Sequence, residues 1–381
     1  MRIGVMLRTL DEKGGVGVYS RNLIETLLDV DRSNQYLLLY RSEQHLGRYS
    51  GRPNVTEQFL PAGSKALWDQ WAVPRACRHF GADLILHPKF TVPLLARVPT
   101  VMVLHGADWF LPAAKQFYGR LDRAYMHLFM PLYLRKAAVA LSVSQLTTDD
   151  FNRIFDLPSD KVRTVYFGPA RHFRRITDPA VLAAVRGKYG LPERFIFTLS
   201  KVGGGERKNI RGVFEAFSKL HGKVPHKLVV GGKDLEGFRR EYSIPKTGWG
   251  KDVLFPGYLD QADLPALYSA SDLYLYPSNQ EAFPIPLTEA MACGTPIVTS
   301  RVNGPEEIAG GAAMLVDPRD PQEIASAVLE VLGDPAVARR LSEAGLERSR
   351  IFSWDACARR TLEILEEIAG SRDPASGPGR A

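Results

Sequence analysis

The chain predicts an α/β protein of two domains, each a parallel sheet wrapped by helices, and three observations carry that expectation. Short apolar runs of β type alternate with helical stretches from one end to the other, the pattern of parallel strands joined by crossover helices. A length of 381 residues exceeds what one hydrophobic core usually serves. Near the middle, the run Gly168-Pro169-Ala170-Arg171-His172-Phe173-Arg174-Arg175 interrupts the rhythm, and Asp178-Pro179 then opens a helix with a capping side chain and a proline at its first position. The boundary is therefore expected between residues 176 and 177, giving domains 1–176 and 177–353.

In the first half, strands are expected at Ile3 to Arg8, Tyr36 to Tyr40, Asp83 to Leu86, Thr100 to Leu104, Val139 to Val143 and Val162 to Phe167. The second half repeats the rhythm at Phe195 to Leu199, Lys227 to Val230, Val253 to Phe255, Asp272 to Tyr276 and Pro296 to Thr299. Three helical segments follow, Pro321 to Leu332, Pro335 to Arg350 and Trp354 to Ala369, punctuated by Gly333-Asp334-Pro335 and Phe352-Ser353. Residues 371–381 are rich in Gly, Pro, Ser and Arg, lack apolar content, and are expected to be a disordered tail.

With 45% hydrophobic and 24% charged residues the composition is that of an ordinary soluble protein. No apolar run reaches the ~18 residues of a membrane span, and the first eight residues read as a strand, not a secretory leader. Cys77, Cys293 and Cys357 are odd in number, widely spaced and outside any Cys-x-x-Cys pattern, which suits a reducing cytoplasm and disfavours structural zinc. Charge is uneven: residues 1–176 hold 24 Lys and Arg against 15 Asp and Glu, a net of +9, and the remainder has a net of −2. A cationic first half suits an anionic acceptor or the inner, anionic leaflet of a membrane, to which the protein would bind peripherally; a basic solvated surface is the plainer reading. No nucleic-acid-binding motif is present, so nucleic acid is not an expected partner.

The most informative segment is Pro277-Ser278-Asn279-Gln280-Glu281-Ala282-Phe283-Pro284-Ile285-Pro286-Leu287-Thr288-Glu289. Pro284 and Pro286 forbid helix before about Pro286, which can serve as the first helical residue. Glu281 is thus expected on a loop at a strand's carboxyl end and Glu289 on the first turn of the next helix, beside backbone N–H groups suited to phosphate. Read singly, each is a loop acid or an acid favoured by the helix dipole. Farther upstream, a strand is followed by Ser200-Lys201-Val202-Gly203-Gly204-Gly205-Glu206-Arg207-Lys208-Asn209, after which Ile210, Val213, Phe214 and Phe217 keep helical spacing. The dipole disfavours cations at a helix start, so Arg207 and Lys208 there point to an outside anion, with a solvated charge pair as the alternative.

Glu281 and Glu289, continued by Ala290-Met291-Ala292-Cys293-Gly294-Thr295-Pro296 and a β run, resemble the E-x7-E signature of retaining, nucleotide-sugar-dependent glycosyltransferases of family 4 (group 1). The Arg207-Lys208-Asn209 triplet resembles the diphosphate-binding pair of the same family. The resemblance covers the chain up to its tail and is strongest from Phe195 to Trp354. It implies the GT-B fold, two Rossmann-like parallel-sheet domains facing across a cleft. The first domain would bind the acceptor and the second the nucleotide sugar, with the last helix (354–370) crossing back onto the first domain. It implies that Arg207 and Lys208 stabilise the departing diphosphate, that Glu281 binds sugar hydroxyls and favours positive charge at the anomeric carbon, and that Glu289 accepts from the ribose. No metal is then needed, because the two cations and the helix dipole can neutralise the leaving group. One literal Asp-x-Asp, Asp29-Val30-Asp31, of the kind metal-dependent transferases use, reads as a surface turn.

The first half offers Asp11-Glu12-Lys13-Gly14-Gly15-Val16-Gly17-Val18-Tyr19-Ser20 between a strand and a helix. Its glycines let the backbone approach a ligand closely. Taken as an imperfect G-x-G-x-x-G, with Arg41 as partner of a 2′-phosphate, it would suit an NADP-dependent oxidoreductase, but serine replaces the third glycine. The family resemblance instead sets Gly15 and Gly17 opposite the donor diphosphate and the acceptor, and gives His105 a place near the transferring sugar. Gly106 stands where the family often has an aspartate after that histidine, with Asp108 as a substitute. Pro284 stands where glycine is common after phenylalanine, which leaves amide contacts to Phe283 or Ile285. Val143-Ser144, Tyr258 and Pro305-Glu306-Glu307-Ile308 match the family's rhythm but read as structural. The implied activity is transfer of a hexose from a GDP-mannose or UDP-glucose type donor to a hydroxyl of a cell-envelope glycan or lipid-linked saccharide. A non-catalytic, basic membrane-surface protein is the remaining alternative.

Overall fold

The computed structural model describes residues 1–12, 14–112, 118–200, 206–232 and 235–371. They fall into two compact units, Met1–Phe167 with Trp354–Ala381, and Gly168–Ser353. The chain leaves the first unit after Phe167, ahead of the 176/177 point suggested by the proline punctuation. Packing is the reason. A Cβ on Gly168 would lie 2.2 Å from the Phe352 carbonyl oxygen, and the Ile176 N–H donates to Ser269 Oγ at 3.0 Å, so the intervening segment is stitched to the second unit.

The first unit is built on seven strands: β1 (Arg2–Met6), β2 (Gln35–Tyr40), β3 (Val55–Phe59), β4 (Leu84–His87), β5 (Thr100–Leu104), β6 (Val139–Ser142) and β7 (Val162–Thr164). All neighbours are parallel, in the order β3-β2-β1-β4-β5-β6-β7. The central strands are continuously buried, as a sheet covered on both faces requires. Strand β1 stops at Met6, short of the expected Arg8, which instead opens the 3-10 turn Arg8–Asp11. The edge strand β3 was not expected from the sequence, because its centre is the polar, half-exposed Thr56-Glu57-Gln58. The helix Trp354–Gly370 lies against the helix Gly15–Val30, with the Trp354 ring 5.4 Å from that of Tyr19 and 4.8 Å from that of Phe167. Of the tail expected to be disordered, residues 372–381 lie outside the described residues.

The second unit holds β8 (Phe195–Leu199), β9 (Lys227–Gly231), β10 (Val253–Leu254), β11 (Leu273–Tyr276), β12 (Ile297–Ser300) and β13 (Met314–Val316), again all parallel, in the order β10-β9-β8-β11-β12-β13. The helix Pro179–Tyr189 starts as its sequence dictates, the Asp178 carboxylate accepting from the Ala180 N–H at 2.9 Å. Ile210, Val213, Phe214 and Phe217 form the buried stripe of the helix Ile210–Leu220 and seal one face of the sheet. Strand order reverses between β8 and β11 here, and between β1 and β4 in the first unit. At such a switch point the connections leave on opposite faces and open a crevice beyond the strand ends.

Candidate active site

In the second unit, the loops after β8 and β11 bracket the switch point and are sewn together. Ser278 Oγ and the Asn279 N–H both donate to the Arg207 carbonyl at 2.9 Å, and Asn279 Nδ2 donates to the Glu206 carbonyl at 2.8 Å. Asn209 adopts the left-handed conformation (φ 54°) that asparagine tolerates, caps the Gly212 N–H at 3.2 Å and donates to the Pro318 carbonyl. Arg207 and Lys208 are thus fixed just before the helix Ile210–Leu220. Lys201 and the glycines 203–205 that follow the strand lie outside the described residues, as does Lys13.

Arg207 Nη1 donates to Glu281 Oε2 at 2.7 Å, and the Tyr276 hydroxyl donates to Oε1 at 2.8 Å. The Glu281 side chain is nearly buried, at 10% exposure against 37% for Arg207. Lys208 Nζ stands 5.8 Å from the Tyr276 ring centroid. Glu289 is the fifth residue of the helix Ile285–Ala292, so it lies in the second turn and not in the first as expected, because the helix begins at Ile285 with Pro284 as its cap. The dipole fades within the first turn, and burial governs instead. The Glu289 carboxyl is pushed up to about 7 by desolvation, against the Tyr268 hydroxyl bond at 3.1 Å and the Lys208 charge. Such a group gains from any hydroxyl that donates to it.

The tyrosines were missed by the sequence reading. Tyr274 and Tyr276 are two apart on β11, share one face and stack with centroids 5.8 Å apart, while Tyr268 meets Tyr274 edge-on at 5.1 Å. Their spacing was legible; their partners were not. Gly304 was missed too. Its N–H donates to the Glu281 carbonyl at 2.9 Å, and a Cβ there would lie 2.4 Å from the Ala282 carbonyl oxygen, so only glycine lets the chain after β12 brace this loop. Phe283 turns its ring edge-on to Phe352 at 5.8 Å, an anchoring contact, and Ile285 opens the helix.

Gly15, Gly17 and His105 lie in the first unit. Gly14 precedes the helix Gly15–Val30 at φ 152°, and a Cβ on Gly17 would fall 2.1 Å from the Glu12 carbonyl oxygen, so packing by itself already requires glycine there. His105 follows β5, its ring edge-on to Tyr19 at 4.8 Å and its Nε2 2.9 Å from the Pro88 carbonyl. A carbonyl only accepts, so Nε2 carries the proton. Burial pulls this imidazole down to about 4, with the nearby Lys89 charge helping, which leaves it neutral at neutral pH. Asp108, the substitute for the absent aspartate, accepts from the Tyr118 hydroxyl at 2.9 Å. Around the β1/β4 switch point a second polar group forms: Arg8 donates to both Asp69 oxygens at 2.8 and 3.0 Å and to Thr91 Oγ1 at 3.1 Å, and Lys89 pairs with Glu12.

Asp29-Val30-Asp31 is not a surface turn. Asp29 and Val30 end the helix Gly15–Val30, Asp29 pairs with Arg52 at 2.6 Å, and Asp31 is 3% exposed. Asp31 accepts from Ser33, Asn34 and Tyr36; burial would raise its pKa, but those hydrogen bonds outweigh it and hold the carboxyl low. The pair closes a helix end. Cys77, Cys293 and Cys357 are buried free thiols, and among the described residues no group of three or more His, Cys, Asp or Glu is gathered to hold a metal.

Residues 184–348 match the family described as glycosyl transferases group 1, and residues 13–168 match glycosyltransferase family 4. O-antigen chain mannosyltransferase B of Escherichia coli is 27% identical over 388 residues, spanning 92% of this chain and 96% of that protein. Glycogen synthase of Mycobacterium tuberculosis (strain ATCC 25618 / H37Rv) is 39% identical over 309 residues, spanning 76% of this chain and 69% of that protein. Among solved structures, sucrose-phosphate synthase from Thermosynechococcus elongatus matches 97% of this chain and 99% of its own with a TM-score of 0.75 at 21% identity, a likeness of fold.

Proposed function

Because the chain belongs to the glycosyl transferases group 1, which move sugar from a nucleotide sugar, we propose that it is a retaining, metal-independent hexosyltransferase acting on a hydroxyl of a cell-envelope glycan or lipid-linked saccharide. Family membership sets aside the NADP-dependent oxidoreductase. The observation that carries the proposal is the pairing of Arg207 with Glu281 across two sewn loops at a switch point, with Lys208 beside them.

The donor would be a nucleoside-diphosphate sugar bound by the second unit. Arg207 and Lys208 take the charge that develops on the diphosphate as the anomeric C–O bond breaks. Glu289 accepts from the ribose hydroxyls, and the amides of Phe283 and Ile285 add neutral donors to phosphate. Glu281 accepts from sugar hydroxyls and favours the positive charge at the anomeric carbon. The acceptor oxygen bonds to that carbon on the face the phosphate leaves, and the acceptor's proton passes to the leaving phosphate oxygen. A carboxylate already held through both oxygens by Arg207 and Tyr276 is a poor nucleophile, which favours this same-face route over double displacement. His105 is assigned to the neighbourhood of the transferring sugar, as a neutral imidazole, and Gly15 and Gly17 to the donor diphosphate and the acceptor. Full-length likeness to a mannosyltransferase favours mannose as the sugar moved, from a donor of the GDP-mannose or UDP-glucose type. The setting proposed is cytoplasmic, with the basic first half resting peripherally on an anionic leaflet.

A thermal-shift titration with GDP and UDP tests the reading. A diphosphate at a hundredfold over its Kd adds about 2.7 kcal/mol of stability. Failure of both nucleotides to shift the transition, or abolition of sugar transfer by EDTA, overturns it.

A further inference from the structure

The helix Arg120–Lys136 of the first unit turns an apolar stripe to solvent. Leu121, Tyr125, Leu128 and Leu132 recur at helical spacing on one face and are 86%, 44%, 67% and 46% exposed. A second helical run, Lys65–Leu67 continued through a wide turn to Val73–Phe80, does the same with Leu67 and Trp71, 58% and 63% exposed, followed on that face by Arg75 and Arg78. Both elements wall one cavity of about 570 Å³: Lys65 and Gln70 come from one, Met126, Phe129 and Tyr133 from the other, and Trp109 also lines it. Tyr125 belongs both to the stripe and to the cavity wall. The two elements therefore share one face of the unit.

That face is cationic as well as apolar. Of the charged side chains on the two helical runs, Lys65, Arg75, Arg78, Arg120 and Arg135 are exposed against Asp122, while Arg123 and Lys136 donate to the Trp109 and Ala96 carbonyls and Asp69 is already neutralised by Arg8. A soluble surface rarely presents so many large apolar side chains together. Apolar residues on one helix face, flanked by arginines at both ends, are what an interfacial helix shows to a bilayer, the leucines entering the acyl boundary and the cations meeting headgroups. A second copy of the chain is a poorer occupant, because a two-fold interface would set these arginines against their own counterparts.

We propose that the face formed by Arg120–Lys136 and the Lys65–Phe80 run docks on an anionic phospholipid leaflet, with Leu121, Leu128, Leu132 and Trp71 inserted. This rests on the peripheral contact proposed above and gives it a location; it does not rest on the donor site. The test is co-sedimentation of the full chain with vesicles of phosphatidylcholine alone or with 30% phosphatidylglycerol (about that fraction, to set a negative surface potential). The native chain, Leu121→Ser/Leu128→Ser/Leu132→Ser and Arg120→Gln/Arg135→Gln are compared, each with its GDP and UDP thermal shift. Binding only to the anionic vesicles, weakened at least about tenfold by the leucine set and less by the arginine pair, with nucleotide shifts unchanged, supports the proposal. No binding by the native chain, or binding indifferent to the leucine set, overturns it and leaves the enzymatic reading standing. A concentration-dependent dimer of the native chain that the leucine set abolishes also overturns it, by assigning the stripe to a second copy.

Discussion

Replacing Glu289 by glutamine keeps the shape of a buried carboxyl and removes its titration. The ordinary value of 4.5 rises to about 7 in the fold because burial penalises the charged form more than Tyr268 and Lys208 relieve it. Below pH 4.5 the group is protonated in folded and unfolded chains alike and contributes nothing. Between 4.5 and about 7 the unfolded chain ionises first, so stability falls as pH rises; above about 7 the deficit is constant. At ~1.4 kcal/mol per pH unit the deficit is about 3 kcal/mol. Glu289→Gln removes it while leaving an oxygen to accept from Tyr268. The ligand-free variant is therefore expected to match the native chain at pH 4.5 and to exceed it by about 3 kcal/mol at pH 8 in urea unfolding, yet to bind nucleoside diphosphate more weakly. A variant no more stable at pH 8, with the native pH dependence intact, would refute the assignment of burial as the governing influence on this carboxyl.

Lys208→Ala and Glu281→Ala should each lower turnover by about 10² or more, the scale of one lost electrostatic contact in the transition state; steady-state transfer assays retaining full activity in both would sink the assigned roles. Gly304→Ala places a methyl 2.4 Å from the Ala282 carbonyl oxygen and should cost about 1–3 kcal/mol in unfolding experiments, with a parallel loss of turnover. An unshifted urea midpoint would show that the loop does not need this brace. His105, pulled down to about 4 from 6.5, contributes stability that is complete above pH 6.5 and is lost as pH falls through 4. His105→Gln should flatten the stability difference across that window, and an unchanged profile would contradict the buried, neutral imidazole.

Much of this was readable in the residues because local chemistry decided it. Thr100–Leu104 and Phe195–Leu199 are strands where apolar β-rich runs demanded them, and Asp178-Pro179 caps a helix as its side chain dictates. The three-residue β13 and the polar-centred β3 carried too little periodic signal. Strand order is a tertiary property, and it alone shows that Arg207 and Glu281 meet at a switch point 74 residues apart in the chain. The Tyr268 and Tyr276 hydroxyls that hold the two glutamates, and the burial of Asp31, depend in the same way on long-range packing that no local pattern records.

The contact between Arg207 and Glu281 sets a condition on any anion that approaches these two loops. Each charge quenches the other, so a lone inorganic phosphate must compete for the guanidinium with a carboxylate already in place. On the proposed reading a sugar nucleotide would compensate both at once, offering oxygens to the cation and hydroxyls to the acid. The internal ion pair would then act as a test of bifunctionality, disfavouring simple anions that answer the guanidinium and leave the carboxylate without a donor.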